Sequence, residues 1–278
     1  MPNAVVLGTF DGVHLGHRAV INAAKGYNCI AVTFSLPPKS YKSETPCLLM
    51  TLDDKIQRLK DCGAKEICVM DFEAVKDMFP EDFLNYLKVK FDPKLIVCGF
   101  NYRFGRGAAG NTATIRDFCL RQGIDFKEIP SVEHNGAAVS SSSIRELISN
   151  GRIHEANELL CCDFGFSAEV INGDHRGRTI GFPTINQIFP KELVSPKFGV
   201  YESQVFFDGK SYNAITNLGL RPTYLNEIVT CESYITDFSG DLYGKTVAIK
   251  LKKFLRGERK FSSLEELKKA IENDVSGL

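Results

Sequence analysis

The first half of the chain alternates short apolar runs with longer segments of helical periodicity. Strands are predicted at 3–9, 28–34, 66–71 and 94–99, and helices at about 16–25, 52–61, 80–90, 111–122, 141–149 and 152–161. Short strands that are almost wholly apolar indicate a parallel sheet covered on both faces. We therefore expect an α/β domain with a parallel sheet over residues 1–161.

After about residue 162 the pattern changes to strands with no long helix between them. Five strands are predicted, at 164–171, 198–207, 211–218, 228–236 and 246–254. This spacing indicates an antiparallel barrel or sandwich, a smaller domain over residues 162–278. An amphipathic helix is predicted over 263–274, capped by Ser262 or Ser263, with Leu264, Leu267 and Ile271 packed on the sheet.

Composition excludes several classes of protein. The 278 residues suit two domains, and 44% hydrophobic with 24% charged residues is ordinary for a soluble protein. A net charge of zero gives no indication of a nucleic-acid partner or an anionic membrane, and no apolar run reaches the roughly 18 residues of a membrane helix. Nine cysteines without a CxxC pair indicate reduced thiols and a cytoplasmic location. Weak self-association into a homo-oligomer stays open.

The segment 7–17 carries the first candidate site. After the first strand, a turn containing Gly8, Phe10 and Asp11 leads into a helix whose start carries His14 and His17. Helix N-termini attract phosphate, and imidazoles three residues apart share a helix face. The pattern favours nucleotidyl transfer from a nucleoside triphosphate. The alternative is a strand–turn–helix corner with two surface histidines.

Two later segments add groups that suit nucleotides. Residues 99–110 contain four glycines, two arginines and the aromatics Phe100, Tyr102 and Phe104, which suit a loop that stacks on a planar ring and approaches phosphate. The serine run 140–143 opens a helix with Arg145 one turn inside, which suits either phosphate binding or a plain cap. The loop 99–110 and the 7–17 turn both follow strand carboxyl ends, so we expect them to face one crevice.

The second half carries a different constellation. In residues 172–186, Gly173 and Gly177 permit close approach to phosphate, while Thr184 and Asn186 project to one side of an extended segment and offer oxygens to Mg²⁺. The alternative is a loop leading into an edge strand. Glu232 lies amid strand residues, either as part of a solvated face or as a general base for phosphoryl transfer.

In this order, these segments resemble the bifunctional bacterial riboflavin kinase/FAD synthetase family over nearly the whole chain. The first half resembles its adenylyltransferase module, with GTFDGVHLGH, GFNYRFG and SSSSIR; the second resembles its flavokinase module, with GRTIGFPTIN, NLGLRPT, the acid at 232 and DLYG. The resemblance implies a Rossmann-like HxGH nucleotidyltransferase domain followed by a β-barrel with a terminal helix. It also implies ATP, riboflavin and FMN as small-molecule partners, with Mg²⁺ as cofactor.

The resemblance further implies two reactions and a set of residue roles. Glu232 would be the kinase base, and Thr184 and Asn186 would hold Mg²⁺ and phosphate under a loop over 173–178. His14 and His17 would stabilise charge at the α-phosphorus of ATP. The other expected contacts are nucleotide binding by Gly8, Phe10, Asp11, Asn101, Ser141, Ser142, Arg145, Gly173, Gly177 and Arg178, and flavin binding in the N-terminal domain by Phe104 and Arg106.

The chain departs from the family pattern at three places. Residues 35–38 read Ser-Leu-Pro-Pro where the family usually has Pro-His-Pro. Ser142 and Ser143 stand where threonine and a basic residue are common, and Tyr234 stands where a histidine is more usual. We therefore keep two alternatives to a bifunctional enzyme. One is a chain with a single active module, the kinase being favoured, and the other is a non-catalytic flavin-sensing regulator.

Overall fold

The structure is a computed structural model that describes residues 1–38, 47–173, 177, 180–222 and 227–278, with backbone only at 222 and 227. The chain divides into two compact units, Met1–Ser141 and Ser142–Leu278. Among the described residues, the first unit holds strands β1 (Asn3–Leu7), β2 (Asn28–Phe34), β3 (Glu66–Met70), β4 (Pro93–Gly99), β5 (Asp125–Ile129), β6 (Glu133–His134) and β7 (Ala137–Ala138), and helices α1 (Leu15–Asn22), α2 (Leu52–Asp61), α3 (Phe72–Val75), α4 (Pro80–Phe91) and α5 (Thr112–Gln122).

The sheet of the first unit is parallel, in the order β3-β2-β1-β4-β5. Its strand order reverses between β1 and β4, which lie side by side although β2 and β3 come between them in the chain. The turn after Leu7 and the loop after Gly99 therefore leave adjacent strand ends, as the sequence predicts. In open α/β sheets this switch point is where ligands bind.

Both faces of this sheet are covered because alternate strand residues face opposite sides. Val5 and Leu7 belong to the core under α4 and α5, whereas Ala4 and Val6 belong to the core under α1 and α2. The predicted parallel architecture is confirmed. Strand β5 escapes the sequence pattern because it is an edge strand of sequence DFKEI, whose residues are exposed or half-buried.

The second unit is antiparallel. Helix α6 (Ser141–Ser149) begins at the boundary, and α7 (Ile153–Leu160) and α8 (Leu264–Ser276) lie within the unit. Its six-stranded sheet has the order β8-β13-β10-β11-β12-β9, formed by β8 (Gly165–Glu169), β9 (Thr184–Ile188), β10 (Gly199–Phe207), β11 (Lys210–Pro222), β12 (Glu227–Ile235) and β13 (Thr246–Arg256).

A buried glutamine joins the two edge strands, β8 and β9. The amide of Gln187 on β9 donates to the carbonyl oxygens of Ala168 on β8 (2.6 Å) and Val247 on β13 (2.9 Å). The sheet therefore curls into a nearly closed barrel, and the sandwich alternative is wrong. Inside, the hydroxyls of Ser203, Thr216 and Ser233 form a buried chain of hydrogen bonds of 2.7 and 2.8 Å.

Helix α8 begins where the sequence predicts but packs differently. Ser263 is its N-cap, accepting the Glu266 amide at 3.2 Å. Leu264 is 65% exposed, so the prediction that it packs on the barrel is wrong; Ala270 is the buried residue of this helix. The first residue after the cap turns towards solvent, whereas Leu267 and Ile271 are half-buried on the same face as Ala270.

The cysteines agree with the predicted reduced thiols. All nine lie in the described residues and none forms a disulfide. Burial raises the thiol pKa of Cys29 and Cys119 to about 11 and that of Cys98 to about 12. In the part of the chain that the structure describes, no helix combines the length and apolar character needed to cross a bilayer.

Candidate functional site

The turn between β1 and α1 is tightly wound and buried. Phe10 and Val13 have positive φ angles of 49° and 41°, and Gly12 has one of 90°. A β-branched residue rarely adopts this conformation, so surrounding contacts must hold the turn in place. A Cβ on Gly8 would lie 2.9 Å from the Phe10 ring, which explains the glycine.

This turn delivers two histidines face to face. His14 is the N-cap residue of α1 and His17 lies in its first turn; their rings stack with centroids 3.7 Å apart and planes at 21°. The Phe10 ring meets His17 edge-on at 5.3 Å. His14 is 5% exposed and His17 is half-buried, so the alternative of two surface histidines is wrong.

The surroundings of His17 favour its neutral form. Burial lowers its pKa well below the ordinary value, with smaller contributions from His14 and from the nearby Lys55 ammonium. A neutral imidazole still carries one N–H donor. A bound phosphate would oppose all three effects, because a negative charge favours imidazolium.

Asp11 connects the turn to two neighbouring segments. Its carboxylate accepts the backbone N–H of Leu49 at 3.0 Å, and its carbonyl accepts the Ser141 hydroxyl at 2.9 Å. Ser141 therefore lies beside the histidine turn. Ser142 is exposed and Arg145 is half-buried; both belong to α6 and cluster with the second unit.

The loop after β4 divides into core and surface residues. Phe104 is 7% exposed and packs on Phe83 and Tyr102 with centroids 5.3 and 5.7 Å away. Core packing thus accounts for Phe104, and little of its ring is exposed for the flavin contact predicted from the sequence. Asn101 and Arg106 are exposed, and the Arg106 guanidinium lies 5.9 Å from the ring centre of Phe79.

In the second unit, the register brings three predicted residues together. Asn186 on β9 lies directly opposite Glu232 on β12, and Thr184 lies opposite Tyr234. Opposed residues of antiparallel strands share a face, with Cα atoms about 4.5–5.5 Å apart. The carboxylate, the amide and the hydroxyl therefore occupy one face of the barrel wall. On the other side of Glu232, its partner on β11 is Asn217.

Two glycines pass close over this face. A Cβ on Gly173 would lie 2.4 Å from the Asn186 amide carbon and nitrogen, and one on Gly177 would lie 3.6 Å from the Thr184 hydroxyl. Gly173 therefore packs directly on the Asn186 amide, and Gly177 lies near the Thr184 hydroxyl. The side-chain oxygens of Asn186 and Thr184 are of the kind that a hard cation such as Mg²⁺ prefers. Arg178, also predicted to bind ATP, lies outside the described residues.

Tyr234 has a packing role at the position where the family more often has histidine. Its ring meets Phe182 edge-on, with centroids 5.0 Å apart. Phe182 lies two residues before Thr184, so this contact packs the start of β9, the strand that carries Thr184 and Asn186, against β12. The substitution is accommodated by aromatic packing.

Sequence reasoning missed Lys55, a lysine of α2 that is 2% exposed. A signal was present, because Lys55 stands four residues before the core residue Leu59 and so shares the buried face of the helix. Burial lowers its pKa to about 8, an effect opposed by the Asp11 carboxylate.

Comparisons with known proteins agree with this two-unit arrangement. The riboflavin kinase family model matches residues 160–277 and the FAD synthetase family model matches residues 1–143. A bifunctional riboflavin kinase/FMN adenylyltransferase of Bacillus subtilis is 32% identical over 98% of this chain and 90% of its own length. The enzyme of the same name from Escherichia coli is 31% identical over 97% of this chain and 90% of its own.

Among solved structures, a Streptococcus pneumoniae protein titled macrolide-efflux protein matches with a TM-score of 0.91 and 28% identity. The match covers 99% of this chain and 93% of that one. Two domain families in the expected order and relatives of more than 30% identity over nearly the full length point to one assignment. The chain belongs to the bifunctional riboflavin kinase/FMN adenylyltransferase family, a family of transferases, and carries both of its domains.

Proposed function

We propose that this chain converts riboflavin to FMN and then FMN to FAD, using ATP in both reactions. The observation that carries the proposal is the separation of two ATP-suited constellations into two compact units. Glu232 faces Asn186 beside Thr184 in one unit, and His14 stacks on His17 in the other. The first suits attack on a terminal phosphorus, and the second suits transfer at the α-phosphorus.

In the kinase reaction, the Glu232 carboxylate accepts the proton of the riboflavin primary hydroxyl as its oxygen attacks the γ-phosphorus of ATP. The bond between the γ-phosphorus and the bridging oxygen breaks, and ADP leaves. Thr184 and Asn186 would hold Mg²⁺ and the phosphates through their side-chain oxygens. Bound Mg²⁺ supplies charge neutralisation for the phosphate chain.

In the adenylyl transfer, a phosphate oxygen of FMN attacks the α-phosphorus of ATP and pyrophosphate leaves. His14 and His17 donate to the phosphate oxygens, and the N-terminus of α1 adds its positive dipole end where negative charge develops. No side chain needs to form a covalent intermediate. The reaction therefore depends on positioning and on electrostatic stabilisation.

The remaining assignments follow from this division. Gly8, Phe10 and Asp11 shape the histidine turn, and Asn101, Ser141, Ser142 and Arg145 orient the nucleotide. Gly173, Gly177 and Arg178 cover ATP at the kinase site, and Arg106 meets the flavin phosphate. We keep 1–161 and 162–278 as the functional domains. A cytoplasmic location and the small-molecule partners ATP, riboflavin and FMN complete the proposal.

The proposal is tested by chromatography of flavins after incubation of the protein with riboflavin, ATP and Mg²⁺. We expect FMN and FAD. Formation of FMN alone would favour a single active kinase module. The missing histidine in residues 35–38, within the N-terminal domain, is the observation that favours this alternative. Unchanged riboflavin would contradict both enzymatic proposals and favour a flavin-sensing regulator.

Two variants test which site performs which step. Glu232→Gln should lower FMN formation by about 100-fold or more while FAD formation from supplied FMN persists. His14→Ala should lower adenylylation by about 100-fold and spare the kinase. Matched controls are Glu169→Gln and His154→Ala, both at exposed positions of the second unit, which should change neither rate. Loss of both activities in either variant would contradict the assignment of two sites.

A further inference from the structure

Lys55 is enclosed beneath the histidine turn, and the proposed reactions give it no role. Its ammonium lies 2.5 Å from the carbonyl oxygen of Phe34, 3.3 Å from that of Ser35 and 3.4 Å from that of Thr9. A lysine ammonium has three N–H donors and no acceptor. These three carbonyls can therefore use its whole donor capacity.

The three carbonyls belong to the two strand ends that frame the candidate adenylyltransferase site. Thr9 is the second residue after β1, at the start of the turn, and Phe34 and Ser35 mark the end of β2. The Thr33 hydroxyl also donates to the Thr9 carbonyl, at 2.9 Å. Lys55 thus joins the chain just before the histidines to the neighbouring strand end.

The turn that Lys55 holds is one that its own sequence does not favour. Phe10 and Val13 are fully buried with positive φ angles, and such conformations persist only where neighbouring contacts over-determine them. Asp11 supplies contacts to Leu49 and Ser141 on one side. Lys55 and the Thr33 hydroxyl supply contacts at the start of the turn.

Lys55 also acts on the imidazole pair through its charge. Its positive charge is one of three causes that lower the pKa of His17, after burial and after His14. Among the described residues, the Asp11 carboxylate acts on this ammonium, and His14 acts on His17 together with Lys55. The end of β2 and the next residue offer carbonyl oxygens. Removal of the ammonium would therefore make His17 easier to protonate.

We propose that Lys55 is a positioning residue for adenylyl transfer: its ammonium fixes the start of the histidine turn against the end of β2 and places a positive charge beside the imidazole pair before the triphosphate binds. The role rests on the proposed function of the N-terminal domain. Lys55 touches backbone carbonyls and acts through His14 and His17, so it is not a catalytic residue. Its loss should affect turnover more than ATP binding.

The test compares Lys55→Met with Lys60→Met, which removes an exposed lysine from the same helix. FAD formation from supplied FMN is measured between pH 5.5 and about 9.5, with the kinase reaction of the same sample as an internal control. We expect Lys55→Met to lower the kcat of adenylylation by about 10- to 100-fold with a smaller change in KM for ATP. In the profile of adenylylation rate against pH, the acidic limb of Lys55→Met should move to higher pH. Its kinase rate should stay within about twofold of that of Lys60→Met.

A second variant separates charge from packing. Lys55→Arg keeps a positive charge at every accessible pH. The acidic limb of its adenylylation profile should therefore lie at the same pH as that of the wild type. The wild type should lose adenylylation as pH rises through the Lys55 pKa of about 8, and Lys55→Arg should lack that basic limb. Titration of the histidine ring resonances by NMR should show a raised His17 pKa in Lys55→Met and an unchanged one in Lys55→Arg.

Three results would overturn the role. Adenylylation by Lys55→Met within about threefold of Lys60→Met would show that the ammonium is dispensable. A lower adenylylation rate in Lys55→Met, with the acidic limb of its pH profile and the His17 pKa both as in the wild type, would mean that Lys55 acts only through packing. A wild-type protein that makes FMN but no FAD would instead contradict the proposed adenylyltransferase, and the role of Lys55 with it; this failure is visible before any variant is made.

Discussion

At the scale of single residues, Asn157 shows how one buried amide joins a helix to the barrel. It is 9% exposed, and its side-chain nitrogen donates to the Leu251 carbonyl at 2.8 Å and to Asp163 at 3.1 Å, while its oxygen accepts the Phe164 N–H at 2.8 Å. The amide thus satisfies backbone groups of β13 and of the segment entering β8. No apolar residue could satisfy both.

Asn157→Ala should therefore destabilise the second unit by about 2–4 kcal/mol, because it leaves a buried N–H and a buried C=O without partners at about 1–3 kcal/mol each. Urea unfolding followed by circular dichroism should show a lower midpoint with an unchanged slope. Asn150→Ala is the matched control, since this asparagine is exposed and its side-chain amide donates to the Glu146 carbonyl within the same helical turn. Equal midpoints for the two variants would contradict the linking role of Asn157.

At the scale of elements, the loop after β8 contains Gly173, which lies so close to Asn186 that no side chain fits at this position. Gly173 has ordinary backbone angles, so an alanine there would fail only by collision, with its Cβ 2.4 Å from the Asn186 amide. Either the loop or the amide must then move from the barrel face that carries Glu232. Gly173→Ala should lower the rate of FMN formation by about 10-fold or more, equivalent to about 1.4 kcal/mol.

The control for this prediction is Gly257→Ala, at a glycine of the same unit that has open space where its Cβ would stand. It should leave FMN formation within about twofold of the wild type. Both variants should retain adenylylation of supplied FMN. Wild-type kinase activity in Gly173→Ala would mean that the close approach of this glycine to Asn186 has no part in the site.

Hydrophobic periodicity predicted the strands and helices that bury a continuous apolar face. It did not predict edge strands or buried residues that are polar. The four apolar strands of the first unit were readable because both of their faces are covered. Edge strand β5 was not, since its sequence DFKEI lacks an apolar run. The sequence predicted a flavin contact for Phe104 because an aromatic residue in a glycine-rich loop is typical of ring-stacking sites. The fold shows instead that its ring packs on Phe83 and Tyr102. Lys55 was missed because a charged residue in a helix suggests exposure.

At the scale of the molecule, the chain holds two units of different physical construction. The first has a parallel sheet with two separate apolar cores, and the second has a barrel with its own buried interior. Each proposed site is built on the sheet of its own unit. A substitution that disables one site should therefore leave the other folded.

This construction predicts that two inactive halves complement each other in solution. Glu232→Gln and His14→Ala should each make very little FAD from riboflavin, because the first forms FMN slowly and the second adenylylates it slowly. A mixture should make FAD, since FMN released by His14→Ala can diffuse to the intact adenylyltransferase site of Glu232→Gln. The rate should rise with protein concentration after a lag in which free FMN accumulates, and a flavodoxin-like FMN trap added in excess should suppress it. A mixture that accumulates FMN without FAD would mean that FMN reaches the second site only within one chain.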